Sequence, residues 1–100
     1  LLQYDKLYGL IGYPLSHSFS KRYFTEKFEN EGITDCFYEL FPLEKIELLL
    51  STIKSCPNLS GLNVTIPYKE SVIGYLNLLD EGARRIGAVN CIKIERGFLL

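Results

Sequence analysis

A three-layer α/β sandwich is the fold the sequence predicts, with a mainly parallel sheet and an antiparallel hairpin at its C-terminal end. Three observations predict it. Short apolar runs of strand length alternate with stretches of helical spacing. The first run, Leu7 to Ile11, is apolar throughout, as a strand covered on both faces requires. Near the C-terminus Glu95-Arg96-Gly97 reads as a turn between two strands.

The elements follow in order. Leu7 to Ile11 forms a strand ending at Gly12, and a loop runs from Tyr13 to Ser18. Phe24 and Phe28, with Tyr23 beside them, predict a helix from about Phe19 to Asn30, stopped by Gly32. Cys36 to Phe41 is an aromatic-rich strand closed by Pro42. Ile46, Leu49, Leu50 and Ile53 make a helical stripe that Pro57-Asn58 breaks. Leu59 to Ile66 is a third strand. Pro67 then stands where a helix opens, with Tyr68, Val72, Leu76 and Leu79 on one face. Asp80 caps a short helix ending near Gly87. Ala88 to Ile94 is a fourth strand, and Phe98 begins a fifth.

One hundred residues suffice for one domain with its own core. Eleven basic residues against twelve acidic ones leave a net charge of −1, with no basic face of the kind nucleic acid demands. Cys36, Cys56 and Cys91 fit no zinc or redox spacing, and no metal site is expected. Unpaired thiols suit a reducing, cytoplasmic setting. The start lacks the pattern of a signal peptide, and no run is long enough to cross a membrane. The absence of Met and the apolar end Phe98-Leu99-Leu100 read as a chain cut from a longer one.

Polar residues cluster where packing alone does not ask for them, just after strands, where ligands gather in such sheets. In Gly12-Tyr13-Pro14-Leu15-Ser16-His17-Ser18-Phe19-Ser20, hydroxyls sit beside a helix start, a setting that suits a carboxylate or phosphate. The same residues also fit one capping serine and loop filler. In Leu62-Asn63-Val64-Thr65-Ile66-Pro67-Tyr68-Lys69, Asn63 and Thr65 point away from the apolar side of a strand. A buried Asn without partners costs roughly 1–3 kcal/mol. Lys69 falls in the first turn of the predicted helix, facing the positive end of its macrodipole, which favours release of its proton. A solvated surface lysine is the plain alternative. Asn90, inside Gly87-Ala88-Val89-Asn90-Cys91-Ile92, offers donor and acceptor to a hydroxylated ligand or to neighbouring backbone. His17, the sole histidine, finds no triad partners and suits a role in shaping the loop. Gly9-Leu10-Ile11-Gly12 lacks the spacing of a dinucleotide fingerprint.

Together the segments Gly12–Ser20, Asn63–Lys69 and Gly87–Asn90 resemble the N-terminal, substrate-binding half of the shikimate dehydrogenase family, in its order and at similar separation. The resemblance covers about Leu7 to Leu100. It implies that residues 1–100 are the substrate-binding domain of an oxidoreductase that reduces 3-dehydroshikimate to shikimate in aromatic amino acid biosynthesis. It further implies NADP(H) as cofactor, bound by a Rossmann domain outside this chain and not by the chain itself. Ser18 and Ser20 match serines that bind the substrate carboxylate, Asn63 and Thr65 line the site, Lys69 matches the catalytic lysine, and Asn90 matches a contact to ring hydroxyls. The aspartate partner of the lysine belongs to a segment beyond Leu100, so the 100 residues alone are expected to be inactive. Lys21 stands where the family usually has proline. A quinate/shikimate dehydrogenase and a non-catalytic hydroxy-acid-binding module remain alternative readings, as does a structural or interaction domain.

Overall fold

The computed structural model describes residues 5–16 and 18–100. Its strands are β1 (Lys6–Gly12), β2 (Cys36–Pro42), β3 (Leu59–Val64), β4 (Cys91–Glu95) and β5 (Phe98–Leu99). They form one sheet in the order β2-β1-β3-β4-β5. β1 runs parallel to both β2 and β3, whereas β4 is antiparallel to β3 and β5. The helices are α1 (Ser20–Asn30), α2 (Leu49–Ser55) and α3 (Glu81–Ile86).

Alternation along β1 sends its side chains to opposite faces. Leu7 and Ile11 join Leu62 and Val64 of β3 and Ile92 and Ile94 of β4 on one face, under Leu49 of α2 and Val72. Ile11, Leu49, Val72 and Ile92 are wholly buried, which contributes about 1.5–3 kcal/mol for each side chain. On the other face Leu10 and Tyr38 pack with Tyr8 against Phe24 and Phe28 of α1. Helices on both faces of a mainly parallel sheet give the predicted three layers.

Local signals act as expected at several ends. Asp80 caps α3, its carboxylate accepting the Ala83 N–H at 2.7 Å. Gly87 follows with φ 77°, a left-handed position where a Cβ is disfavoured. Arg96 and Gly97, at φ 51° and 83°, make the two-residue turn of the β4–β5 hairpin.

The segment after Pro67 departs from expectation. No α-helix opens there: the Ile66–Pro67 peptide is cis, and a 3-10 turn spans Ser71–Tyr75. Gly74 and the β-branched pair Val72-Ile73 are weak α-helix formers, and packing decides instead. Tyr68, Val72, Leu76 and Leu79 still all turn to the core. The stripe beginning at Ile46 likewise starts as a 3-10 turn, Ile46–Leu48, before α2. β3 stops at Val64 rather than Ile66. β4 begins at Cys91 rather than Ala88, because the backbone before it bonds elsewhere: Val89 N–H donates to the Lys69 carbonyl at 2.8 Å.

Two buried tyrosines make stability depend on alkaline pH. Burial pushes the Tyr68 phenol up, and the nearby Glu47, Tyr13 and Glu44 add to it. Burial also pushes Tyr38 up, against the opposing effect of its hydrogen bonds. The folded chain therefore holds these protons more tightly than the unfolded chain, whose tyrosines ionise near about 10. Their stabilisation is complete below that pH and is lost as pH rises through the higher folded values. We expect the unfolding midpoint to fall above about pH 10 and Tyr68→Phe to flatten part of that fall. The variant starts less stable by about 1–3 kcal/mol, because the Tyr68 hydroxyl donates to the Leu43 carbonyl. Urea unfolding of both chains from neutral to alkaline pH checks this; parallel pH profiles would sink it.

Candidate functional site

The connection through α1 carries the chain from β1 to β2 on one side, and the connection through α2 returns it to β3 on the other. β1 and β3 thus flank a topological switch point. In sheets of this kind ligands collect there, beyond the carboxyl ends of the strands. Backbone bonds fix the chain at that point. Thr65 N–H donates to the Ile11 carbonyl at 2.9 Å and Tyr13 N–H to the Ile66 carbonyl at 3.1 Å. Leu43 N–H donates to the Gly12 carbonyl at 3.0 Å, drawing in the end of β2.

The serine loop enters from β1. Ser18 is half-buried, and its Oγ accepts the Ser20 N–H at 3.2 Å. Ser18 thus bonds the first residue of α1 but is not the capping serine of the plain reading: Phe19 holds the N-cap position, and no side chain makes a capping bond there. Asn63, on β3, donates from Nδ2 to the Tyr38 phenol oxygen at 2.9 Å. Ser20, half-buried, stands close enough to that phenol to favour its ionised form. Ser20 and Asn63, from separate segments of the chain, therefore both stand beside Tyr38, which is 4% exposed. The Tyr38 ring stacks on Phe24 with centroids 4.6 Å apart, fixing where that meeting point lies.

Thr65 comes one residue after β3. Its methyl lies so close to Gly12 that a Cβ built there would sit 2.5 Å from Cγ2. Its carbonyl accepts the Tyr68 N–H at 3.0 Å, turning the chain toward Lys69. Lys69 is half-buried. It does not stand in the first turn of an α-helix, so the expected opposition to a macrodipole does not arise. What places it is the bond from Val89 N–H to its carbonyl. Asn90 is exposed, precedes β4 rather than interrupting it, and accepts the Val64 N–H on its carbonyl at 2.8 Å.

Backbone bonds thus bring the Asn63–Lys69 and Val89–Asn90 segments together, while Tyr38 bonds Asn63 and stands beside Ser20. Cavities divide the same residues differently. An apolar groove of about 410 Å³ between α1 and the β3–β4 part of the sheet includes Asn63. Asn90 borders a separate hollow with Leu76, Leu79 and Ile86. Lys21 pairs with Glu39 at 2.7 Å with both side chains about half exposed, so its charge is directed to β2; such a pair contributes about 0–1 kcal/mol. His17 lies outside the described residues.

Among the described residues no cluster of His, Cys, Asp or Glu could hold a metal ion, and no helix is long and apolar enough to cross a membrane. The β1–α1 turn does not fit a dinucleotide. The space beside Gly12 is filled by Thr65 and Leu15, and the Ser20 N–H is already taken by Ser18. A diphosphate cradle needs open space and free N–H groups at that turn.

The model of the family described as "Shikimate dehydrogenase substrate binding domain" matches residues 10–92. The chain belongs to this family. Shikimate dehydrogenase (NADP(+)) of Methanococcus maripaludis is 43% identical over 94 residues, which make up 92% of this chain and 33% of that protein. The crystal structure of shikimate dehydrogenase 1 from Peptoclostridium difficile superposes with a TM-score of 0.85 at 38% identity, covering 94% of this chain and 36% of that one. Shikimate 5-dehydrogenase from Thermus thermophilus, solved in complex with shikimate, gives 0.82 at 29% identity, with 94% and 36% covered. The chain spans about a third of the length of the curated shikimate dehydrogenases it matches.

Tyr38 is the residue of this site that the sequence did not single out. It stands among Phe37 and Phe41 in an aromatic strand. Only strand alternation, which turns Tyr38 opposite to both, could have pointed to it.

Proposed function

We propose that this chain is the shikimate-binding part of an NADP-dependent shikimate dehydrogenase. The enzyme interconverts 3-dehydroshikimate and shikimate in the cytoplasm, within aromatic amino acid biosynthesis. The observation that carries this reading is the Asn63–Tyr38 hydrogen bond, with Ser20 beside the same phenol, next to the segments holding Thr65, Lys69 and Asn90 that backbone bonds join.

In this reading Ser18 and Ser20 donate hydrogen bonds to the substrate carboxylate, while Asn63, Thr65 and Asn90 read the ring hydroxyls. Several such contacts favour selectivity, because a ligand lacking one hydroxyl leaves a polar group unpaired. Lys69 gives a proton to the ring oxygen as that oxygen gains negative charge, and takes it back in the reverse direction. The coenzyme is held by a Rossmann domain outside residues 1–100, so these residues alone do not turn over substrate.

Calorimetric titration of the full-length protein with shikimate tests the reading. Ser20→Ala is expected to weaken binding about tenfold or more, as loss of a hydrogen bond to a charged group does. Absence of shikimate binding by the unsubstituted protein would refute the assignment. Tighter binding and faster turnover of quinate than of shikimate would reassign it to a quinate/shikimate dehydrogenase.

A further inference from the structure

We propose that Tyr38 is a positioning residue of the substrate site: its phenol oxygen holds the Asn63 amide in one orientation. The inference rests on the proposed shikimate-binding role of Asn63 and says how its geometry is set.

An amide can present either its oxygen or its nitrogen to a ligand, and the choice decides whether the site accepts or donates there. The Tyr38 oxygen accepts from Asn63 Nδ2 at 2.9 Å. That bond turns Oδ1 away from Tyr38. Among the described residues the Asn63 amide has no other hydrogen-bond partner, and no side-chain nitrogen or oxygen is both buried and unpaired. Oδ1 is therefore open to accept from a hydroxyl. The anchor is itself held. Tyr38 is 4% exposed, and its ring stacks on Phe24 of α1 at an interplanar angle of 18°. Asn63 is paired on both sides within the sheet, with Leu10 and with Cys91, so its backbone is fixed independently. One oxygen on β2 thus sets which way the hydroxyl-reading amide of β3 faces.

A phenylalanine at position 38 keeps the ring, the stack and the burial and removes only the hydroxyl, with it the acceptor that Asn63 uses. The test uses the full-length protein, with Kd for shikimate from calorimetry, kcat from steady-state kinetics and the unfolding midpoint from calorimetric scans. Tyr38→Phe is expected to raise Kd about five- to tenfold, the effect of one lost hydrogen bond and a freed amide, with kcat changed by less. In a background already carrying Asn63→Ala, the same substitution is expected to change Kd less than about twofold, because the group it orients is gone. A residue that merely supports the fold lowers the midpoint and weakens binding equally in both backgrounds. Kd within about twofold of the unsubstituted protein overturns the proposal, and so does an equal rise in both backgrounds. If Tyr38→Phe does not fold, 4-aminophenylalanine at position 38, nearly the same shape but a poor acceptor, must give the same rise in Kd; an unchanged Kd overturns the proposal. Failure of the unsubstituted protein to bind shikimate refutes the functional reading itself, a result separable from any of these.

Discussion

Replacing Lys69 by alanine in the full-length protein is expected to lower kcat for shikimate oxidation about 10²–10⁴-fold, the loss typical of a missing general acid–base group. Shikimate affinity and the unfolding midpoint should change far less. The geometry says why the two effects separate. The chain passes through Lys69 by its backbone, whose carbonyl takes the Val89 N–H at 2.8 Å. Among the described residues its ammonium makes no ion pair, so cutting the side chain strands no buried partner. Lys69→Arg distinguishes proton transfer from simple charge. A guanidinium keeps the positive charge but does not release its proton in proteins. If Lys69 moves a proton, arginine leaves the enzyme as slow as alanine does. If it only stabilises negative charge, arginine recovers most of the rate. A Lys69→Ala enzyme that keeps more than about a tenth of kcat would remove the residue from the chemistry altogether.

The sequence placed Lys69 correctly after a strand, yet for a reason that the structure replaces. Strand ends were readable because apolar runs are local: Leu7 to Ile11 announces β1, and Arg96-Gly97 announces the turn of the last hairpin. Caps were readable for the same reason, since Asp80 and Ala83 lie three residues apart. The stretch from Pro67 to Tyr75 was not. Its apolar spacing matches a helix, but the path is set by Tyr68 reaching Leu43 and by Val72 filling the core, contacts no window of neighbouring residues contains. Tyr38 escaped notice on the same grounds. Its partner Asn63 is twenty-five residues away, and only the β2-β1-β3 order brings the two together across the intervening strand. Asn63 stood out as a polar exception; the oxygen that holds it belongs to a residue that looks like core.

Gly12→Ala is expected to couple fold and site most directly. Gly12 ends β1 where the neighbouring strands are pinned to it, with its carbonyl accepting from Leu43 and the next N–H donating to Ile66. The backbone therefore has little freedom to retreat. A Cβ at this position would lie 2.5 Å from Thr65 Cγ2 and 3.0 Å from both the Ile66 carbonyl oxygen and Leu15 Cδ2. Thr65 must move, and overpacking of this kind costs about 1–3 kcal/mol. For a domain of this size each kcal/mol lowers the unfolding midpoint by roughly 4–8 °C. Because the residue displaced is one proposed to bind a ring hydroxyl, shikimate affinity should fall with stability, by about tenfold for one hydrogen bond lost together with its buried partner. Thr65→Ser removes the clashing methyl and keeps the hydroxyl. In the Gly12→Ala background it should restore part of both the midpoint and the affinity, whereas alone it should do little to either. A Gly12→Ala protein with unaltered midpoint and unaltered shikimate Kd would mean that the junction after β1 and β3 yields more easily than its hydrogen bonds indicate. Recovery of stability without recovery of binding would separate Thr65 from the ligand while leaving its packing role intact.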